Sequence, residues 1–174
     1  TDCGSTTCGL TGFWSNLTNG NDDDIDWRVD EGGTPSANTG PNTDFNPGTA
    51  TGNYIYLEAS SCSNKTGILE SQCIVIDKNY DFNFAYHMFG VNTGSLHIDL
   101  FSDGKWQENI ITTISGNQGN QWNIATVNLA PYVGKTIKLR IRGITGNGFE
   151  SDIAIDDIQL VSNQAIIESY LVCI

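Results

Sequence analysis

Apolar side chains recur at every second position through most of the chain beyond residue 50. Leu96, Ile98 and Leu100 alternate with His97 and Asp99, and Ile137, Leu139 and Ile141 alternate with Lys138, Arg140 and Arg142. A period of two is the mark of a strand that buries one face. The pattern predicts strands over 53–59, 67–76, 80–88, 95–101, 106–114, 122–129, 136–144 and 152–161, with a short apolar segment at 25–29. Turn residues separate them: Asn92-Thr93-Gly94, Ser102-Asp103-Gly104, Gly116-Asn117-Gln118-Gly119 and Gly146-Asn147-Gly148. After Ile124 the apolar phase slips to Val127 and Leu129, which predicts a bulge near Ala125 and Thr126. Short, evenly spaced strands without crossover helices predict an all-β chain, a jelly-roll β-sandwich of two antiparallel sheets. One domain is expected over 1–162, with 163–174 as a linker or C-terminal tail.

Charge narrows the partners. Twenty acidic against 8 basic side chains give a net charge of −12. Such a field repels nucleic acid and anionic membranes, and it suits hard cations. No run approaches the roughly 20 apolar residues of a membrane span, so no membrane insertion is expected. No signal-peptide pattern opens the chain, as expected of a mature or excised segment. Cys3 and Cys8 enclose a tight Gly/Ser/Thr loop, and Cys62 and Cys73 flank a strand start and its neighbour. Disulfides Cys3–Cys8 and Cys62–Cys73 are expected, with Cys173 left over, which places the chain in an oxidising, secreted setting. Five reduced, partly buried thiols are the alternative. Zinc-finger spacing is missing, and only His87 and His97 could complete such a site.

Six segments carry a resemblance. Asp22-Asp23-Asp24-Ile25-Asp26-Trp27, Thr39-Gly40-Pro41-Asn42-Thr43-Asp44, Gly52-Asn53-Tyr54-Ile55-Tyr56-Leu57-Glu58-Ala59-Ser60, Tyr86-His87-Met88-Phe89-Gly90, Trp122 and Ser151-Asp152-Ile153-Ala154-Ile155-Asp156-Asp157-Ile158 stand in this order. In sequence and spacing the stretch 10–162 resembles the MAM domain (meprin, A5, receptor phosphatase mu). The resemblance implies an extracellular jelly roll, used in adhesion or as an accessory module of a secreted multidomain protein, with no catalytic activity of its own. It also implies neighbouring domains in a longer chain. The chain departs from the pattern at the family's Phe-Glu pair, whose glutamate is missing, and at a cysteine close before Tyr86. The disulfide set of animal members therefore does not carry over. Low Lys content and Asn/Thr/Gly-rich loops point to a bacterial secreted version.

Two groups of residues suggest binding chemistry. Asp156 and Asp157 sit side by side in an apolar strand, and such a pair needs a cation, strong donors or a bulge. Asp22, Asp24 and Asp26 imitate an EF-hand start, but Trp27 and Gly33 stand where that loop needs Gly and Glu. A calcium site assembled from separate segments remains the expectation, with Asp26, Asp44, Asp156 and Asp157 as ligands. Solvated turn aspartates that cap backbone amides are the alternative.

The second group is cationic. Lys138, Arg140 and Arg142 share the polar face of one strand, and Lys135 precedes them. With His87, His97, Asp99 and a turn-borne Trp106, they are expected to form a ligand face, with guanidinium forks for sulfate or carboxylate and an indole for a sugar ring. The alternative is pairing with acids on adjacent strands. HExxH, GxSxG and phosphate-loop motifs are missing, so catalysis is not expected. The expected function is non-catalytic binding of an extracellular protein, at the cell surface or in the medium. The alternative is a carbohydrate-binding module of a secreted polysaccharide-degrading enzyme, taking an anionic glycan.

Overall fold

The computed structural model describes residues 12–20 and 22–163. The expected Cys3–Cys8 pairing, Cys173 and the tail 164–174 lie outside the described residues.

Among the described residues, twelve strands form two antiparallel sheets. They are β1 (Trp14–Asn16), β2 (Arg28–Glu31), β3 (Asn53–Leu57), β4 (Thr66–Ser71), β5 (Ile74–Val75), β6 (Tyr80–Met88), β7 (Ser95–Ser102), β8 (Lys105–Gln107), β9 (Ile114–Ser115), β10 (Asn123–Asn128), β11 (Thr136–Ile144) and β12 (Ile153–Ser162). A seven-stranded sheet runs β1-β4-β11-β7-β8, with β5 beside β11 and β9 beside β7; a five-stranded sheet runs β10-β6-β12-β3-β2. The jelly-roll sandwich follows from the alternation. Leu96, Ile98, Leu100, Ile137, Leu139 and Ile141 point inward from the first sheet, and Phe82, Phe84, Met88, Val127, Ile153 and Ile155 meet them from the second. Each such side chain contributes about 1.5–3 kcal/mol by leaving water.

Two glycines make room at the centre. Gly67 and Gly143 pair across β4 and β11. A Cβ on Gly143 would come within 3.0 Å of the Trp27 ring and closer still to Leu57. Trp27 is fully buried there, and its indole N–H donates to the Gly67 carbonyl at 3.0 Å.

Several boundaries differ from those read in the sequence. The stretch 106–114 is not one strand, because residues 108–113 leave the sheet after β8: Asn109 takes φ +54, and its backbone N–H donates to the Asp99 carboxylate. The stretch 67–76 breaks into β4 and β5, where the Ser71 hydroxyl accepts from the Leu139 N–H. Cys73 lies in that break, exposed and free, so the Cys62–Cys73 disulfide does not form. Cys62 is buried and disulfide-bonded.

The bulge also moves. β10 pairs with β6 in unbroken register from Asn123↔Tyr86 to Asn128↔Asp81. Ile124 faces outward and Ala125 inward, so the small residue keeps the phase that Ile124 had obscured. The register shift lies instead in β12, between Asp156 and Gln159, with Asp157 at φ +48.

The outer faces of the sheets differ. On the five-stranded sheet, Tyr54, Tyr56 and Ala154 form a second small core with Trp122. The chain between β2 and β3 folds over this cluster as a roof. Trp122 Nε1 donates to the Thr43 carbonyl, the Phe45 N–H to Asp156, the Asp152 N–H to Thr39 Oγ1, and Thr39 Oγ1 in turn to the Phe89 carbonyl. The outer face of the seven-stranded sheet has no comparable cover among the described residues.

Candidate binding face

The open face is built by register. Arg140 on β11 lies opposite Asp99 on β7 and Glu70 on β4, and Arg142 lies opposite His97. Alternation turns all of these side chains away from the core, so one sheet face collects them. Arg142 makes a two-pronged contact with Asp99, at 2.8 and 3.0 Å. Asp99 is nearly inaccessible and also accepts from the Asn109 N–H. Glu70 takes Lys138 at 2.7 Å and Arg140 at 2.8 Å. Burial acts to raise the Glu70 pKa, but the hydrogen bonds from Lys138 and Arg140 outweigh it and hold the carboxyl below its usual range.

Trp106 reaches the face from β8. The Arg140 guanidinium lies 3.8 Å from its ring centre, and Phe101 stands tilted beside it at 5.4 Å. Together these side chains wall a groove of about 410 Å³, closed by Asp22, Asp24, Thr66, Ile68 and Glu108. Glu108 and Asp22 are exposed on its rim, and Glu108 Oε2 stands 4.0 Å from Arg142. Four carboxylates and two guanidiniums line the groove, so its field is negative.

The structure therefore gathers Asp99, Trp106, Arg140 and Arg142 in one groove, with Lys138 at its side. It does not leave the cations free. All three are paired with acids on neighbouring strands, Lys138 and Arg140 sharing Glu70 and Arg142 taking Asp99, which weakens the reason to expect an anionic glycan here. His97 is on the same face, but its ring is tied to Ser95, Asn109 and Thr113 beneath the 108–113 segment. His87 belongs elsewhere. It sits on β6 in the other sheet, 2% exposed, with Nε2 bonded to Asn120 Oδ1 and Trp122 packed against its ring. Burial pushes its pKa down to about 4, against the Asn120 bond.

Glu70 and Glu108 were missed in the sequence. Glu70 carried a usable signal, because it alternates outward from Leu69 in a strand that has a basic neighbour. Glu108 carried none, since it leaves the strand pattern.

The four aspartates expected to bind calcium do not fit a metal centre. Asp44 is buried under Gly52 and accepts from the Thr49 N–H at 2.6 Å, closing its own turn. Asp156 accepts from the Phe45 and Asp157 N–H groups, each at 2.7 Å, and Asp157 from Gln159 Nε2 at 2.7 Å. Asp26 lies apart, at the entry to β2, where burial raises its pKa and Arg28 opposes the rise. Among the described residues no three His, Cys, Asp or Glu side chains converge on one point. Backbone donors and the β12 bulge meet the needs of the paired aspartates.

A family model for the MAM domain (meprin/A5/mu) matches residues 3–165. The MAM domain-containing glycosylphosphatidylinositol anchor protein 2 of Homo sapiens is 34% identical over 164 residues, covering 85% of this chain and 17% of that protein. Neuropilin-1a of Danio rerio is 34% identical over 142 residues, covering 79% and 15%. The chain thus spans less than a fifth of the length of these relatives. Among solved structures, the K1 cleaved adhesin domain of Lys-gingipain from Porphyromonas gingivalis W83 matches with TM-score 0.57 and 14% identity over 89% of this chain and 94% of that one. A carbohydrate-binding module of the β-sandwich superfamily matches with TM-score 0.55 and 15% identity, over 92% and 63%. A cyclase from Fischerella sp. TAU matches with TM-score 0.53 and 14% identity, over 92% and 88%. An adhesin, a sugar binder and a cyclase on one sandwich show the fold alone.

Proposed function

Because the chain belongs to the MAM family (meprin, A5, mu), we propose that it is a non-catalytic recognition module of a longer extracellular protein, and that it holds a protein partner at the open face of the seven-stranded sheet. The groove beside Trp106 carries this reading. It joins a half-buried indole, already stacked by Arg140, to a rim that carries Asp22, Asp24 and Glu108, a setting in which a basic side chain of the partner meets the rim carboxylates and packs its stem on the indole edge. The disulfide at Cys62 supports an oxidising location, in the medium or at a cell surface. No helix among the described residues is long and apolar enough to cross a membrane. Calcium has no part in the reading, since the aspartates named for it do not converge.

The test is fluorescence anisotropy with short peptides that differ only in carrying lysine and arginine or their neutral replacements. The basic peptides are expected to bind, and to lose about tenfold in affinity between about 50 and 300 mM salt. Glu108→Gln and Trp106→Ala should each weaken binding. Equal binding of neutral and basic peptides, or unaltered binding by both variants, would sink the proposal. A second reading, an accessory carbohydrate-binding domain, is favoured by a different place on the molecule.

A further inference from the structure

The roof over the five-stranded sheet leaves a groove of about 500 Å³ at its end, between the segment 34–42, Phe89 and Asn120. Its wall is fixed. Thr34 Oγ1 donates to the Thr39 carbonyl, Thr39 Oγ1 to the Phe89 carbonyl, and Asn38 Nδ2 to Glu150 Oε1. Gly40 takes φ +67 against Thr34, where a Cβ would collide with that side chain. Across the groove, Asn120 is held through Oδ1 by buried His87, which leaves its amide nitrogen free to donate. His87 Nδ1 is buried without a partner among the described residues.

The lining chemistry is distinctive for this molecule. Thr34, Ser36, Asn38, Thr39, Asn42 and Asn120 supply hydroxyls and amides, and Phe89 supplies a half-exposed ring. None of the residues lining the groove is acidic or basic, although the chain carries a net charge of −12. An ionic ligand would find no counter-charge there. Side-chain amides offer a donor and an acceptor a fixed distance apart, which matches two neighbouring hydroxyls, and an aromatic ring offers a surface for C–H groups. The volume lies within the range of about 300–1,000 Å³ usual for ligand sites. Because the wall is already held by internal bonds, a ligand would lose little affinity to ordering it.

We propose that this groove binds a neutral glycan, with Asn42 and Asn120 as the hydroxyl-reading groups and Phe89 as the stacking ring. The proposal rests on the carbohydrate reading and not on protein recognition, which uses the opposite face. Burial keeps the imidazole beneath Asn120 uncharged at neutral pH, so the groove stays free of ionic groups.

The experiment is affinity electrophoresis in gels cast with a neutral β-glucan, xylan, galactan or mannan, followed by calorimetry with oligosaccharides of any polymer that retards the protein. At least one polymer should retard the wild type. Asn42→Ala and Asn120→Ala should each weaken binding by about tenfold, as expected for one lost polar contact, and Asn42→Ala should do so without lowering the melting temperature. Binding should not change between about 50 and 300 mM salt, nor in Trp106→Ala. Absence of retardation by all four polymers would overturn the proposal. So would full binding by Asn42→Ala and Asn120→Ala, or a loss confined to Trp106→Ala, which would move the sugar to the other face. The peptide assay reads the first groove independently, so either proposal can fail alone.

Discussion

Asp99 carries more of the sheet face than its single charge suggests. It is 3% exposed, bound twice by Arg142 and once by the Asn109 N–H that starts the excursion after β8. Removing one partner of a buried pair leaves the other desolvated and unmatched, at a cost of about 3–5 kcal/mol. Asp99→Ala is expected to lose that much in urea unfolding. Asp99→Ala combined with Arg142→Met should recover part of it, because no lone guanidinium is then left behind. A loss below about 1 kcal/mol in the single variant would show that the pair is solvated. At this scale the sequence was informative within a strand. Alternation told which of His97, Asp99, Arg140 and Arg142 share a face. It could not tell which sheet a strand joins, and so His87, on the same period, was assigned to the wrong side of the core. Nor could it separate free from paired cations, since pairing depends on Glu70, almost seventy positions away in the chain.

The elements were legible wherever one face is dry and the other wet. β6 and β11 begin and end where the alternation does. It fails where side chains replace ladder partners, as at Ser71, and where a loop reaches back onto the sheet, as at Asn109. The β12 bulge is the instructive case: the adjacent aspartates announced a local problem, and the backbone solves it by inserting one residue. Asp157 then sits at φ +48, a conformation that costs most L residues about 1–2 kcal/mol and glycine almost nothing. Asp157→Val should therefore destabilise by about 1–2 kcal/mol. Asp157→Gly should stay within about 0.5 kcal/mol of wild type, gaining conformational ease while losing the Gln159 contact. If chemical denaturation ranks the two equally, the bulge is not set by this residue.

For the whole molecule, the buried titratable groups pull stability in opposite directions with pH. Burial raises Asp152 from 3.8 to about 6, against the Ala59 N–H, while Glu58 adds to the rise; Asp23 is raised to about 6 as well, again chiefly by burial. Between about pH 4 and 6 the folded chain keeps these protons and the unfolded chain has released them, so stability falls as pH rises. His87 works the other way. It is neutral when folded and protonated when unfolded between about pH 4 and 6.5, so its contribution grows with pH. Two carboxyls against one imidazole place the stability maximum on the acidic side of neutral. Asp152→Asn isolates one component: its melting temperature should exceed that of wild type near pH 8, where the native carboxylate is ionised, and the gain should vanish near pH 4. A gain that is the same at both values would refute the burial account. The ion pairs of β11 have an effect beyond the sheet itself. They turn the strand's cations inward toward their own carboxylates, so the exterior that a second copy meets is dominated by unpaired acids. Two such domains strung on one chain would hold each other at a distance, like beads of equal sign, and would draw together only as salt in the surrounding fluid screened them.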